Sequence, residues 1–260
     1  MTMRVTEYLE LQRAAPSLTI TPVERDLIAI RARKDAAEVA ALRQSIALSE
    51  RALHAVFAKL KVGMTERDIA RELADALTAE GSQQLSFAPL VQLGENSAFP
   101  HGTISDRTLQ EGDIVLVDFG GSYGGYPADI TRTVCFGTPP EGFVKMFETV
   151  LEANLAAINV SGPGVPMQEV DRAARSVIDA AGYGEYFIHR TGHGLGLDVH
   201  EPIPQLAEGV TEVLEPGMVF TIEPGVYIPG LGGVRLEDDV CVTEDGIDVL
   251  THFPKQWQLR

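Results

Sequence analysis

The first third of the chain carries apolar residues at close to helical spacing. Between residues 34 and 60 they recur on one face, with charged residues on the other, which predicts one long amphipathic helix. These apolar positions are Val39, Leu42, Ile46, Leu53, Val56, Phe57 and Leu60. A second helix is predicted over residues 64–80, because Thr65 and Asp68 have the spacing of a capping box and Gly81 follows as a stop signal.

Runs typical of β-strands follow the two predicted helices. Residues 113–120 (DIVLVDFG) and 129–137 (DITRTVCFG) are rich in branched residues, and the turn-rich sequence GSYGGYPA separates them. Together they predict a β-hairpin. Residues 1–33 show a mixed pattern with Pro16 and Pro22, so we interpret them as a weakly specified leader before a domain that spans residues 34–260.

The order of helix and strand patterns then repeats, which indicates an internal duplication. The helical segment GMTERDIARELADALTAEG matches GVPMQEVDRAARSVIDAAG, with glycine at both ends of each. The strand GDIVLVDFG matches GMVFTIEPG, which superposes Asp118 on Glu223. In the same way YPADITRTV matches VRLEDDVCV, which superposes Asp129 on Glu237. The two halves therefore carry acids at equivalent places.

A pseudo-twofold duplication brings equivalent strand positions towards a common axis, so these four acids are expected to converge. Four carboxylates cannot all be ionised at short range in a low dielectric unless a cation is present. Two divalent ions would balance the charge, and oxygen-rich ligation with one imidazole suits Mn, Co, Fe or Zn. For any single acid, an ordinary carboxylate at a strand end remains the alternative.

The sequence TGHGLGLDVHEP, residues 191–202, places His193 and His200 among glycine residues. Glycine permits a close backbone approach, and imidazole is the side chain most used for metals and protons. His101 and His200 each precede the first acidic strand of their half, whereas His193 has no counterpart. A surface loop with solvated histidines is the alternative, and the duplicated acids favour a metal site with His193 beside them.

Composition narrows the classes of function. The chain has 260 residues and a formal net charge of −16, which argues against a nucleic-acid partner because phosphate binding needs a basic surface. No apolar run approaches the ~18 residues of a membrane span, and the start has no apolar signal core. We therefore expect a cytoplasmic protein without a membrane partner. Cys135 and Cys241 are isolated in β-like stretches and are expected to be buried, reduced thiols.

Four motifs in this order carry a resemblance to a known family. DFGGSYGGYPADITRT, TGHGLGLDVHEP, FTIEPGVY and GGVRLEDDV resemble the creatinase/methionine aminopeptidase-like metallopeptidases, and most closely their Xaa-Pro-cleaving branch. The resemblance covers about residues 34–255. It implies an α+β pita-bread fold, in which a pseudo-twofold duplicated antiparallel sheet is covered by helices.

The resemblance also implies a site with two divalent metal ions, manganese being the first choice. Asp118 would chelate one ion, and Asp129 and Glu237 would bridge both. His193 and Glu223 would complete the other.

Four side chains have implied or chemically reasoned roles in hydrolysis. Glu223 is placed to pass a proton from the attacking water to the leaving amine. His200 and His101 match the substrate-side histidines of the family and are candidate donors to the oxyanion. Arg235 matches an arginine two positions before the bridging Glu237 and would orient a carboxylate or contact the substrate. A plain surface arginine is the alternative.

The implied reaction is the release of an N-terminal residue from peptides with proline in the second position. Xaa-Pro dipeptidase is a close alternative, and methionine aminopeptidase is a more distant one. A binding protein that kept the fold but lost catalysis would be favoured if metal ligands were replaced, and none is. Phe87, Phe99 and Tyr227 are candidate apolar walls for the pyrrolidine ring.

Most Xaa-Pro peptidases of this branch carry a large N-terminal domain ahead of the helix that begins near Lys34. Here only the leader, residues 1–33, precedes that helix. We therefore expect a site open to peptides longer than a dipeptide. A homodimer, in which the partner subunit shields the site, is the expected assembly.

Overall fold

Helices and antiparallel strands alternate through residues 3–259, the part of the chain that the computed structural model describes. Met1 and Thr2, in the predicted leader, and Arg260, at the end of the predicted domain, lie outside the described residues. The helices are α1 (Val5–Ala14), α2 (Glu24–Ala32), α3 (Ala36–Phe57), α4 (Glu66–Ala79), α5 (Phe143–Val160) and α6 (Met167–Ala180).

The strands fall into two groups along the chain. The first half contains β1 (Leu90–Leu93), β2 (Ile114–Phe119), β3 (Ser122–Tyr123), β4 (Tyr126–Pro127) and β5 (Ile130–Cys135). The second half contains β6 (Gly192–Gly194), β7 (Glu201–Leu206), β8 (Val219–Ile222), β9 (Gly225–Ile228), β10 (Gly232–Arg235), β11 (Asp238–Val242) and β12 (Ile247–Val249).

Side-chain caps begin both helices that the sequence predicts. The Asp35 carboxylate accepts hydrogen bonds from the backbone N–H groups of Ala37 and Glu38 at the start of α3. At the start of α4, the Thr65 hydroxyl accepts from the backbone N–H of Asp68, which completes the predicted capping box. Caps of this kind typically contribute about 1 kcal/mol each. Both predicted helices are confirmed.

The sheets confirm the predicted hairpin and the internal duplication. β2 pairs antiparallel with β5, and the small hairpin of β3 and β4 joins them. The first sheet has the order β1-β2-β5, and the second contains the matching succession β6-β8-β11, with β7 and β12 at its edges. The hairpin of β9 and β10 connects β8 to β11 just as β3 and β4 connect β2 to β5. The fold is therefore the predicted α+β pita-bread arrangement.

Each half has its own apolar core beneath its helix pair. In the first half, Leu42 of α3 and Leu73 of α4 belong to a buried cluster with Val117 of β2. In the second half, Phe147 of α5 is buried with Phe220 of β8. Burying an aliphatic or aromatic side chain of this size contributes about 1.5–3 kcal/mol. These two cores fix the strands whose ends carry the predicted acids.

The predicted leader is more ordered than its mixed pattern suggests, because it contains α1 and α2. No residue of α1 is buried, whereas α2 lies against β7 and buries Ala32. Both helices are short, so their apolar residues give little periodicity. The structure thus gives two helices to a segment whose mixed sequence pattern predicted none.

Across residues 3–259, no helix combines the length and apolar character that crossing a membrane demands. Cys135 and Cys241 are buried free thiols, as predicted.

Candidate active site

The four predicted acids lie at the ends of strands that the duplication relates. Asp118 is near the end of β2 and Asp129 immediately precedes β5, while Glu223 follows β8 and Glu237 precedes β11. The two halves meet here, because Thr131 Oγ1 donates a 2.6 Å hydrogen bond to Glu237 Oε2 across 106 sequence positions. The folded chain therefore brings acids from both halves to one place.

The candidate metal ligands form overlapping groups. Ligand atoms of Asp118, Asp129 and Glu237 lie within 4.8 Å of one another, and so do those of His193, Glu223 and Glu237. Glu237 belongs to both groups, so its carboxylate faces two clusters of donors at once. All five side chains predicted as metal ligands are thus brought together.

Burial and mutual repulsion make the ionised acids unstable without a cation. Burial, reinforced by Glu237 and Asp118, raises the pKa of Asp129 well above its ordinary value. Burial followed by the charges of Glu223 and Asp118 does the same to the pKa of Glu237. Burial also raises the pKa of Glu223 to about 7. Repelling carboxylates of this kind fit bound divalent cations.

Asp118 supplies a second indication that the donor set fits metal ions. Its Oδ2 accepts a hydrogen bond, whereas its Oδ1 is buried and has no hydrogen-bond partner. A buried carboxylate oxygen without a partner is costly, and a coordinated cation would satisfy it.

His193 is oriented as a ligand. It is 3% exposed, which excludes the surface-loop alternative for this residue. Its Nδ1 lies 3.2 Å from the carbonyl oxygen of Gly194, and its Nε2 lies 3.5 Å from Asp129 Oδ2 and 3.3 Å from Glu223 Oε1. Burial lowers the pKa of His193 to about 3. The imidazole is therefore neutral, and its Nε2 points at the acids as metal ligation requires.

Gly192, the residue before His193, allows this strand to approach β8 closely. A β-carbon at this position would overlap the carbonyl oxygen of Thr221. Thr221 Oγ1 accepts a hydrogen bond from the backbone N–H of His193 at 3.1 Å and lies 3.3 Å from Glu223 Oε1. The glycine thus lets one threonine contact two predicted ligands.

Arg235 is not a surface arginine. It is 4% exposed, and its Nη2 donates a 2.6 Å hydrogen bond to Asp118 Oδ2. Its Nη1 donates to the Tyr227 hydroxyl at 3.0 Å, and its Nε donates to Thr131 Oγ1 at 3.0 Å. Arg235 therefore contacts a predicted ligand, and its role in orienting that carboxylate stays a prediction.

A cavity of about 340 Å³ opens beside the acids. Its lining comprises Pro100, His101, Asp118, His189, Arg190, Glu223 and Arg235. His101 therefore reaches the predicted site. Phe87, Phe99 and Tyr227, the candidate walls, are not among these lining residues in the described chain. Tyr227 lies behind the lining instead, 3% exposed and hydrogen-bonded to Arg235.

His200 is exposed and stacks near His193, with 4.1 Å between the ring centroids. A ring nitrogen of His200 also falls within 4.8 Å of donor atoms of Asp129 and His193. The structure therefore places His200 beside the acids. Its substrate-side role stays a prediction.

Two lining residues with ionisable side chains were missed from the sequence. His189 Nε2 lies 2.8 Å from the Tyr227 hydroxyl, and burial lowers the pKa of His189 to about 4. Arg190 is exposed, and its Nη1 donates a 2.6 Å hydrogen bond to Gln205 Oε1. Their position just before the TGHG sequence is the signal that would have found them.

Duplicated sheets, convergent acids with one buried imidazole, and an adjoining cavity define a metallopeptidase of the pita-bread type. The chain belongs to metallopeptidase family M24, whose sequence profile matches residues 40–244. This confirms the predicted family and its use of a divalent metal.

Relatives and solved structures agree with the family. The uncharacterized peptidase SH1217 of Staphylococcus haemolyticus is 41% identical over 233 residues, which are 90% of this chain and 66% of that protein. The X-Pro aminopeptidase of Thermotoga maritima is similar with a TM-score of 0.93 and 36% identity, covering 97% of this chain and 72% of that one. The Xaa-Pro dipeptidase of Bacillus anthracis has a TM-score of 0.94 and 38% identity, covering 98% and 71%. The chain spans about two-thirds of the length of the curated relatives it matches.

Proposed function

We propose that this chain hydrolyses the bond between an N-terminal residue and a following proline, as a dinuclear Xaa-Pro aminopeptidase. The observation that carries the proposal is the convergence of the four acids and His193 beside a cavity. The similarity to the X-Pro aminopeptidase of Thermotoga maritima supports the substrate class. The domain that performs this reaction is proposed to span residues 34–260, after the leader.

Five residues would hold the two metal ions, with manganese as the proposed metal. Asp118, Asp129, His193, Glu223 and Glu237 would be the ligands. Asp129 and Glu237 are the two carboxylates that each belong to two of the donor groups, so they are the acids proposed to be shared. When bound, paired divalent ions activate a water molecule and polarise the scissile carbonyl.

Glu223 is the proposed proton carrier. Its carboxylate lines the cavity and lies next to His193. It accepts a proton from the attacking water and then donates that proton to the leaving nitrogen of proline, as a general base that becomes a general acid. This transfer matters for proline, because its nitrogen leaves as a secondary amine.

His200 and His101 are the proposed donors to the oxyanion. Although the His200 side chain is exposed, partial desolvation of its ring, followed by the charge of Arg190, lowers its pKa and so favours the neutral imidazole, which can act as an N–H donor. A donor of this kind typically contributes a few kcal/mol of transition-state stabilisation. Arg235 contributes by holding Asp118 in its ligating orientation.

Xaa-Pro dipeptidase is the second candidate, and Arg190 favours it. This exposed guanidinium lines the cavity near Glu223 and has no acidic partner within salt-bridge distance in residues 3–259. A guanidinium in that place suits the free carboxylate of a dipeptide. The similarity to the dipeptidase of Bacillus anthracis is a further reason. Methionine aminopeptidase and a non-catalytic binding protein are the remaining alternatives.

The proposal is tested by metal analysis and a peptide panel. With Mn or Co supplied, kcat/KM is compared for Xaa-Pro-Yaa tripeptides, Xaa-Pro dipeptides and Met-Ala peptides. We expect the tripeptides to be cleaved fastest, after Xaa. Preference for dipeptides indicates the dipeptidase, preference for Met-Ala indicates methionine aminopeptidase, and no turnover with a full metal complement indicates the binding protein.

The net charge of −16 argues against a nucleic-acid substrate, because binding to the phosphate backbone needs a basic surface. The cytoplasm is the proposed location.

A further inference from the structure

Two cations from the end of α2 contact the loop that carries His200. The Lys34 ammonium lies 3.0 Å from Glu201 Oε2. Arg31 Nη2 donates to Glu201 Oε1 at 2.8 Å and to Asp198 Oδ2 at 2.6 Å. Asp198 and Glu201 lie on either side of His200, so a distant segment holds this loop at two points.

Glu201 is the buried anchor of an otherwise exposed loop. The side chains of Glu201 and Lys34 are 2% and 1% exposed, whereas Leu197, Asp198 and His200 are exposed. Glu201 Oε1 also accepts a 3.0 Å hydrogen bond from the backbone N–H of Leu197. One carboxylate therefore binds a lysine, an arginine and the start of the loop together.

The segment that supplies the cations is itself fixed. The backbone N–H of Lys34 donates to the carbonyl oxygen of Gly217 at 2.7 Å. Gly217 leads into β8, and β8 is followed directly by Glu223. One short segment thus contacts both the residue ahead of β8, the strand that Glu223 follows, and the loop that carries His200.

Gly196 leaves the space in which the Lys34 side chain reaches Glu201. A β-carbon at Gly196 would lie 2.7 Å from both Glu201 Oε1 and the Lys34 side-chain carbon Cε. A side chain at this position would therefore push the ammonium away from its partner. This gives the third glycine of TGHGLG a role that the metal site does not require.

We propose that Lys34 and Arg31 are positioning residues that act through Glu201 to hold the His200 imidazole beside the acids. The significance of His200 for the reaction rests on the proposed function, whereas the anchoring of the loop is measurable by itself. Misplacing a reacting group by 1 Å can lower a rate by about 100-fold. A loop that is released from Glu201 should therefore lower kcat.

The kinetic test compares Lys34→Met and Arg31→Met with the control Arg33→Met. Arg33 forms a surface pair with Glu215, 3.2 Å long and 56% and 48% exposed. We expect Lys34→Met to lower kcat on an Xaa-Pro peptide by about 10- to 100-fold, with KM and metal content little changed. Arg33→Met should stay within about twofold of the parent chain. Equal kcat values for Lys34→Met and Arg33→Met would overturn the proposal.

A double-mutant cycle separates positioning from general support. If Lys34 acts through His200, Lys34→Met should lower kcat by less than about twofold in a His200→Ala background. The same fold loss in both backgrounds would show that Lys34 supports the fold in general and would overturn its positioning role.

Hydrogen exchange gives a readout that does not depend on activity. Backbone amides of residues 196–200 should exchange faster in Lys34→Met and Arg31→Met than in Arg33→Met, while β8 stays protected. Unchanged exchange in both variants would overturn the anchoring. Should Lys34→Met fail to fold, Arg31→Met, with a side chain 35% exposed, carries the same comparison. A parent chain that cleaves no peptide contradicts the proposed function alone, since faster loop exchange still supports the anchor.

Discussion

The Arg235 guanidinium donates a 2.6 Å hydrogen bond to Asp118, so a side chain of the second half of the molecule contacts a predicted ligand of the first. In the duplication Arg235 is equivalent to Pro127, which has no side chain able to do this. The two halves are alike in strands but not in how they hold their acids.

Removing this guanidinium should lower the free energy of unfolding of the metal-free protein. Arg235→Met leaves Asp118, whose side chain is 20% exposed, without its cationic partner. Removing one partner of a fully buried pair typically costs about 3–5 kcal/mol, so we expect a smaller loss of about 2–3 kcal/mol for this partly exposed carboxylate. Urea unfolding in the presence of a chelator measures the loss. The matched control is Arg172→Met, which breaks an exposed pair with Glu208 and should change the free energy of unfolding by less than about 1 kcal/mol. Similar losses in the two variants would contradict the ligand-orienting role.

Chelation should lower the thermal stability of the protein. The repulsion among the buried acids is relieved by the ions, and ligand binding to the folded state alone adds stability as RT ln(1 + [L]/Kd). At about 100 times Kd this amounts to about 2.7 kcal/mol. Calorimetry before and after metal removal is the measurement. A metal-free preparation with the same Tm and undiminished activity would be incompatible with the site.

The metal-free protein should also lose stability as pH rises. Burial raises the pKa of Glu223 from 4.5 to about 7. The protonated Glu223 therefore adds to the free energy of unfolding in full below pH 4.5, and this stabilisation is lost as pH rises through about 7. We expect the Tm of the chelated protein to fall across this interval. Added Mn should restore more stability at neutral pH than at about pH 5, because protons compete with the ion for the ligands. A Tm of the chelated protein that rises over the same pH interval would contradict the prediction.

Substitutions should separate metal binding from proton transfer and oxyanion stabilisation. Glu223→Gln keeps the shape but removes the charge and the basic oxygen, so it should lower both kcat and metal content. His200→Ala should lower kcat by about 100-fold, the range typical for loss of one oxyanion donor, and leave metal content intact. Metal analysis beside steady-state kinetics checks both. Full kcat in His200→Ala would show that its assigned role is wrong.

Arg190 should report the choice between the two Xaa-Pro activities. If its guanidinium binds the carboxylate of a dipeptide, Arg190→Met should raise KM for Xaa-Pro by about tenfold and spare Xaa-Pro-Yaa amides, which lack that group. The control is Arg51→Met, because Arg51 pairs with Glu80 and is not among the residues that line the cavity. An equal change in KM for both substrate types would show that Arg190 does not bind the substrate carboxylate.

Assembly is predicted to be a homodimer in which a partner subunit shields the site. Light scattering over a range of protein concentrations tests this. A fully active monomer at every concentration would show that no partner is needed.

The sequence was sufficient to predict the four acids as a cluster, because the internal duplication places an acid at equivalent positions in both halves. Asp118 and Asp129 were each supported by an equivalent, Glu223 and Glu237, and four superposed acids are hard to explain separately. Helix caps at Asp35 and Thr65 lie within a few residues of their partners, so local pattern predicts them well.

Contacts between remote positions were not predictable in this way. Lys34 and Glu201 are 167 positions apart, and neither position carries a period or a motif that points to the other. The burial of Arg235 and the position of Tyr227 behind the cavity lining likewise depend on how the hairpin of β9 and β10 packs. The two helices of residues 1–33 were not predicted for a related reason, since α2 packs against β7 and its own short sequence has little periodicity.

The division of the site between the halves has a consequence for biosynthesis. Glu237 follows Asp129 by about 100 residues, which a ribosome adds in roughly 5 to 20 seconds at ~5–20 residues per second. During that interval the nascent first half exposes Asp118 and Asp129 without the carboxylates and imidazole that complete their donor groups. The donor set that would hold the ions is therefore incomplete until the strand carrying Glu237 has emerged, so capture of metal by this set should follow the synthesis of both halves.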